Sequence, residues 1–247
     1  HLNLYKFFMA SKARLFYPNK LKTGTISRLS EKQSHYTKNV MRLKAGDKIS
    51  LFNSQDGEWD IRIIDQGKIF TEFKVEKLSR PISKEKNIWL AFSPIKKIPQ
   101  DLMIQKTTEL GIQKFIPLLC ERSVVREINT KRAEKIITEA CEQSNRITVP
   151  KILDMQRLID FIKTFPDEGK IIFCDINSNL KDFKNKLSKK NPICILIGPE
   201  GDFTEEERQF IINNKNVISI TLAKNILRAE TAAIASTTIL NYNLENN

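Results

Sequence analysis

Histidine and cysteine are scarce in this 247-residue chain: two histidines, His1 and His35, and four cysteines, Cys120, Cys141, Cys174 and Cys194. No two cysteines form a Cys-x-x-Cys pair. That poverty argues against an ordinary zinc site and a histidine-based triad, so no metal is expected. The thiols read as reduced, buried side chains of a cytoplasmic protein. The eight glycines contain neither Gly-x-Gly-x-x-Gly nor Gly-x-x-x-x-Gly-Lys-Ser/Thr, so dinucleotide and P-loop readings fail their minimum requirement. No apolar run approaches the roughly 20 residues that cross a bilayer. Tyr5, Phe7 and Phe8 border no long apolar core and no small-residue cleavage site, so neither a membrane partner nor a secretory signal is expected. The chain starts at His1, and residues 1–12 are left out of the fold reading.

Acidic side chains are also in deficit, 29 against 41 Lys and Arg, which leaves a net charge of +12. The imbalance is concentrated. In residues 1–50, eleven Lys and Arg face only Glu31 and Asp47. A basic region of this kind points to a polyanionic partner, RNA or DNA.

Two patterns of periodicity divide the chain. From Arg14 to about Leu78 it reads as short strands broken by turns: Asp47–Phe52, a hairpin turn at Asn53–Gly57, Glu58–Ile64, then Lys68–Leu78 with a bulge. A small β-barrel over 13–79 is expected, followed by a polar, proline-containing linker around Pro81. The remaining segment, 80–247, alternates strands with helices. Strands are expected at Ile88–Phe92, Lys114–Leu118, Lys170–Cys174, Ile193–Ile197 and Val217–Thr221. Helices are expected at Gln100–Leu110, Lys131–Arg146, Gln156–Phe165, Glu205–Asn213 and Glu230–Asn241. Such alternation predicts a mainly parallel sheet covered on both faces.

Two loops carry the chemistry. Gly198-Pro199-Glu200-Gly201-Asp202-Phe203 follows the apolar run Ile193–Ile197, and Leu222–Thr231 follows Val217–Thr221. Both sit where a strand hands over to a helix, the usual ligand position in an open α/β sheet. The first resembles a phosphate cradle, yet its charges argue otherwise. Thr204 and Glu207 form a capping box, and Glu205, Glu206 and Glu207 fill the first helical turn. A phosphate would compete with those carboxylates for the same positive end. The ligand at this loop should be neutral or cationic.

Together these loops resemble the signature of the trefoil-knotted SPOUT methyltransferases, in particular the RsmE-type family that methylates N3 of a uridine in 16S ribosomal RNA. Gln105–Gly111, Pro117, Glu121-Arg122-Ser123, Glu142–Arg146, His35-Tyr36 and Val40–Asp47 are similar to that family too, in the expected order. The resemblance implies an α/β SPOUT domain with a C-terminal knot and an N-terminal PUA-like RNA-binding barrel. It also implies S-adenosylmethionine as cofactor, 16S rRNA of the small ribosomal subunit as partner, and a homodimer. The cofactor fits the charge reading, since it carries a cationic sulfonium and no phosphate. The expected cofactor site is Ile197, Gly198, Pro199, Glu200, Gly201, Leu222, Asn225, Ile226, Leu227, Arg228 and Thr231. Uridine N3 must lose a proton before it attacks a methyl group, so a base or an anion stabiliser is needed. With histidine absent, Glu200 and Glu230 are candidate bases and Arg228 the candidate stabiliser. Arg14, Arg42 and Lys44 are candidate phosphate contacts in the N-terminal part. Lys96, Lys97, Arg122 and Arg146 are candidates for the rim of the cleft. Two other readings stay open: a knotted methyltransferase acting on transfer or 23S RNA, and a non-catalytic RNA-binding relative.

Overall fold

A computed structural model describes residues 13–178 and 187–245 and divides the chain into two compact units. The first comprises the chain to Lys84 together with Cys141–Val149; the second holds the rest. The sequence reading placed the boundary between residues 79 and 80 and gave the first unit no second segment.

In the first unit the strands are β1 (Arg14–Phe16), β2 (Ile26–Arg28), β3 (Lys48–Asn53), β4 (Gly57–Gln66) and β5 (Thr71–Arg80). They form a five-stranded sheet in the order β1-β3-β4-β5-β2, antiparallel except for the β1–β3 pair. Alternation sets the core, because Ile61, Ile63, Phe73 and Val75 point one way into full burial while Arg62 and Lys74 point out. The β3–β4 turn is built by Asn53, whose Oδ1 accepts the Gln55 and Asp56 amides. Gly57 follows with φ +90°, and an added Cβ there would lie 2.6 Å from the Arg80 carbonyl oxygen. Register shifts between β4 and β5 mark the irregularity expected in this hairpin. Helical structure was not expected here. Ser30 and Gln33 form a reciprocal cap on α1 (Glu31–His35), which runs into a π-helical turn at Tyr36–Val40. His35 is exposed.

Arg14 fastens the returning segment. Its guanidinium donates to both Glu58 carboxylate oxygens and to the carbonyls of Cys141, Glu142 and Arg146, which uses all five N–H groups. Arg80 donates to Glu58 as well and to the Asn145 carbonyl. Glu142 in turn accepts the Phe16 amide at 2.9 Å. Burial by itself would raise the Glu58 pKa. The hydrogen bonds and charges of Arg14 and Arg80 outweigh it and hold the carboxyl below its ordinary value. Arg14 is therefore an internal tie and not a phosphate contact: its side chain is 6% exposed and every donor is taken. Arg146, 8% exposed, is likewise interior and not on the rim of a cleft.

The second unit holds β6 (Ile88–Phe92), α2 (Lys97–Glu109), β7 (Lys114–Leu119), α3 (Thr130–Gln143, its last residues counted with the first unit), β8 (Lys151–Ile152) and β9 (Gln156–Arg157). α4 (Leu158–Thr164), β10 (Lys170–Cys174), β11 (Ile193–Ile197), α5 (Glu205–Ile212), β12 (Val217–Ile220) and α6 (Ala229–Glu245) follow. The sheet is parallel throughout, in the order β12-β10-β11-β6-β7-β8, with β9 also pairing to β7. All five residues of β11 are buried, as an apolar run in a sheet covered on both faces requires. α2 begins earlier than the sequence reading placed it, because Pro99 sits in the first turn, where its missing N–H leaves no bond unmade. α3 stops short of the expected Arg146, and Asn145 turns the chain with φ +62°. After β12, at the sheet edge, α6 returns to pack on β11 and α2. α6 thereby lies against β11, the strand that precedes the Gly198–Phe203 loop.

Candidate functional site

The carboxyl ends of β10, β11 and β12 are neighbours in the sheet, and the loops that leave them enclose a cavity of about 650 Å³. This lies within the range of small-ligand pockets. The Gly198–Phe203 loop forms one wall, Thr221–Ala223 and Asn225–Glu230 another, and Phe173–Ile176 a third.

Gly198 has a specific steric reason. The Phe203 ring folds back over it, and an added Cβ would meet the ring at 2.6 Å. Phe203 is held in that place edge-on to Phe173, with centroids 5.5 Å apart. Asp202, at φ +60°, makes the sharp turn between them. The expected capping box is present: the Thr204 hydroxyl accepts the Glu207 amide and the Glu207 carboxylate accepts the Thr204 amide, each at 3.1 Å. The same Glu207 carboxylate accepts the Glu121 amide at 2.8 Å, which ties the loop after β7 beneath α5. Arg122 next to it donates to the carbonyls of Gly201 and Phe203 at 3.3 and 3.4 Å. Three carboxylates thus occupy the positive end of α5, and the electrostatics of this wall disfavour a phosphate.

Of the residues expected in the cofactor site, Ile197, Gly198, Pro199, Glu200, Gly201, Leu222, Asn225, Ile226, Leu227 and Arg228 all line the cavity. Thr231 does not; it lies exposed as the third residue of α6, beyond Glu230. Glu200, Arg228 and Glu230, the three candidates for proton chemistry, are brought to the same cavity, with Glu200 and Arg228 exposed and Glu230 half-buried. Ile226 stands 86% exposed at the lip. Among the rim candidates, Lys96 and Lys97 are exposed at the start of α2, three and two residues before the cavity-lining Pro99. Arg42 and Lys44 are exposed in the first unit, Arg42 with φ +55°.

The resemblance to the knotted methyltransferases implies a third cofactor loop, following Ile171–Cys174, but singles out none of its residues. Phe173, Cys174, Asp175 and Ile176 line the cavity there, and the one local signal was that β10 is a third buried strand of the same sheet. Desolvation on that wall pushes the Cys174 thiol up to about 12. It stays protonated near neutral pH, which makes a covalent cysteine step unfavourable. No group of three or more His, Cys, Asp or Glu side chains arranged to hold a metal occurs among the described residues.

Comparison with known proteins gives this geometry a family. Residues 83–241 match the model of the RNA methyltransferase domain, and residues 29–76 match the RNA methyltransferase PUA domain. Ribosomal RNA small subunit methyltransferase E of Rickettsia conorii is 35% identical over 228 residues, covering 90% of this chain and 92% of the relative. The chain belongs to that family. The Bacillus subtilis member is 29% identical, covering 88% of this chain and 90% of its own. The crystal structure of the methyltransferase E from Neisseria gonorrhoeae, bound to S-adenosyl methionine, superposes with a TM-score of 0.85 at 29% identity, covering 94% and 98% of the two chains. This chain is accordingly an RNA methyltransferase of the E family, with the SPOUT-type α/β fold and an N-terminal PUA unit.

Proposed function

We propose that this methyltransferase E family member moves a methyl group from S-adenosylmethionine to N3 of a uridine in 16S rRNA of the small subunit, in the cytoplasm. The observation that carries the reading is the cavity at the ends of β10, β11 and β12, walled by the Gly198–Phe203 and Leu222–Arg228 loops. The residues present fit the cofactor. Leu222, Leu227 and Ile197 supply an apolar slot for an adenine, and loop backbone supplies hydrogen-bonding groups. The acidic start of α5 suits a ligand without phosphate. When bound, S-adenosylmethionine supplies an electrophilic methyl group on a cationic sulfonium.

The chain's own residues handle the proton and the charge. Arg228, exposed at the mouth of the cavity just before α6, stabilises the uridine anion as N3 loses its proton. Glu200 or Glu230 takes that proton. Lys96, Lys97 and Arg122 on the second unit, and Arg42 and Lys44 on the first, are placed to meet RNA phosphates. Lys96 and Lys97 stand at the positive end of α2 with no acidic residue in its first turn, an arrangement that opposes helix stability and favours an anionic partner. The enzyme acts as a homodimer through α2 and α6, which pack together and expose Ile98, Leu102, Ile239 and Tyr242.

Primer extension on rRNA from a strain lacking the gene tests the substrate, since a methyl group on N3 blocks the pairing face. A stop at one uridine only after treatment with enzyme and S-adenosylmethionine is expected; no new stop in 16S rRNA overturns the reading. In single-turnover assays Arg228→Ala should slow the reaction by about 10²-fold while cofactor affinity changes little. If a Glu200→Gln or Glu230→Gln variant is slower still and recovers at high pH, that carboxylate is the base. Near-normal rates for all three variants refute the assignment of roles.

A further inference from the structure

Asp175 is the buried carboxylate of the cavity wall. It follows β10 directly, and its amide still donates to the Ile220 carbonyl at 2.9 Å. One carboxylate oxygen accepts the Asn177 amide at 2.9 Å, and the Asp175 carbonyl accepts the Ser178 amide at 3.1 Å. The Ser178 hydroxyl then donates to the Ser219 carbonyl at 2.8 Å. The segment Asp175–Ser178 is therefore folded around this one side chain and tied to β12. The other carboxylate oxygen of Asp175 accepts from Arg208 at 2.7 Å, with the carboxylate only 5% exposed and the guanidinium 22%.

Arg208 belongs to a different wall. It lies in α5, the helix that starts directly after Gly198–Phe203, and its own amide bonds the Thr204 carbonyl of the helix cap. Its Nε is buried without a hydrogen-bond partner, so the guanidinium is not placed there to saturate its donors. A buried ion pair is weak evidence for stability, because desolvation consumes much of the attraction. What a bonded pair does supply is a fixed distance between the two elements it joins. Here those elements are the loop after β10 and the helix that anchors the glycine loop, two of the three walls of the cavity.

We propose that Asp175 and Arg208 are positioning residues that set the spacing between these walls, and so determine how tightly the cofactor is held without taking part in methyl transfer. The inference rests on S-adenosylmethionine being the ligand of the cavity. It separates binding from chemistry. Losing the pair should loosen both walls around the ligand, while Arg228 and Glu230 stand on the remaining wall and the start of α6, which carry neither partner.

Calorimetric titration with S-adenosylmethionine and steady-state kinetics on Asp175→Asn, Arg208→Gln and the double variant test it. Each single variant should weaken cofactor binding and raise its KM roughly tenfold, the double no more than either single, with kcat at saturating cofactor within about twofold of wild type. Arg208→Lys, which keeps the charge but not the planar reach, should lie between wild type and Arg208→Gln. Should Asp175→Asn fail to fold, the less buried partner still decides the matter: a folded Arg208→Gln with wild-type affinity overturns the proposal. So do additive effects in the double variant, or a loss in kcat with KM unchanged. Wild-type protein that does not bind S-adenosylmethionine refutes the cofactor reading and this inference with it. Wild-type binding together with insensitive variants refutes the inference alone.

Discussion

Gly198→Ala adds one methyl group at the point where the cavity loop is most crowded. The new Cβ would lie 2.6, 3.1 and 3.2 Å from three atoms of the Phe203 ring. Real Cβ atoms do not approach that closely, so the ring or the loop must move by several tenths of an ångström. The ring has little freedom: Phe203 is 5% exposed and packs edge-on against Phe173, which is 2% exposed. Overpacking of this kind costs about 1–3 kcal/mol. For a unit of this size that corresponds to a fall in Tm of about 2–4 °C per kcal/mol. Phe203 and Phe173 both line the cavity, so the displacement should also weaken S-adenosylmethionine binding by about tenfold, or ~1.4 kcal/mol. Scanning calorimetry and titration on the variant read the two effects. Phe203→Leu removes the ring atoms that collide, so Gly198→Ala/Phe203→Leu should bind more tightly than Gly198→Ala alone. Gly201→Ala serves as the control in stability, since its added Cβ would make only ordinary contacts, 3.5 Å or more, with Arg122. An unchanged Tm and affinity for Gly198→Ala would refute the steric reasoning, and strict additivity in the double variant would clear Phe203 as the obstacle.

Glu58→Gln should destabilise the first unit by about 3–5 kcal/mol, because it leaves the guanidinium of Arg14 buried without its counter-charge. Urea unfolding followed by Trp59 fluorescence checks it. In the wild type the Glu58 carboxyl is held below its ordinary value, so its contribution is fully present above the unfolded-state value of about 4.3 and is lost as pH falls through the lower folded value. The acid limb of the stability curve should therefore flatten in the variant, and an identical limb would refute the coupling. Light scattering should give a dimer at micromolar concentration, burying roughly 1,200–2,000 Å² or more. Charged substitutions at Ile98 and Tyr242 should yield monomers, and a wild-type monomer would refute the proposed interface.

The sequence by itself determined the parallel sheet, because buried strands such as Ile193–Ile197 are continuous apolar runs and need no partner to be recognised. It determined the capping box at Thr204, since a cap is a matter of residues three apart. From these came the two ligand loops and the expectation of a ligand without phosphate. Charge counting behaved differently. It placed Arg14 on the RNA because the N-terminal residues around it are basic, and Arg146 was read onto the cleft rim, but side-chain direction is not encoded in composition. Only the tertiary structure turned Arg14 inward, onto Glu58 and the carbonyls of a segment more than a hundred residues away. Thr231 fell outside the cavity for a related reason: the turn of α6 that follows Ala229 points it away from the site, although it adjoins Glu230 in sequence. Asp175 was invisible for the opposite reason. A lone aspartate at a strand end has no local signature, and its meaning depends on Arg208, thirty-three positions on, which is brought to it when β11 and β12 pair or pack around β10. Patterns with a period, a cap or a short spacing are legible because neighbouring residues fix them. Contacts between loops are set by the order of strands in the sheet, and no local pattern carries that order.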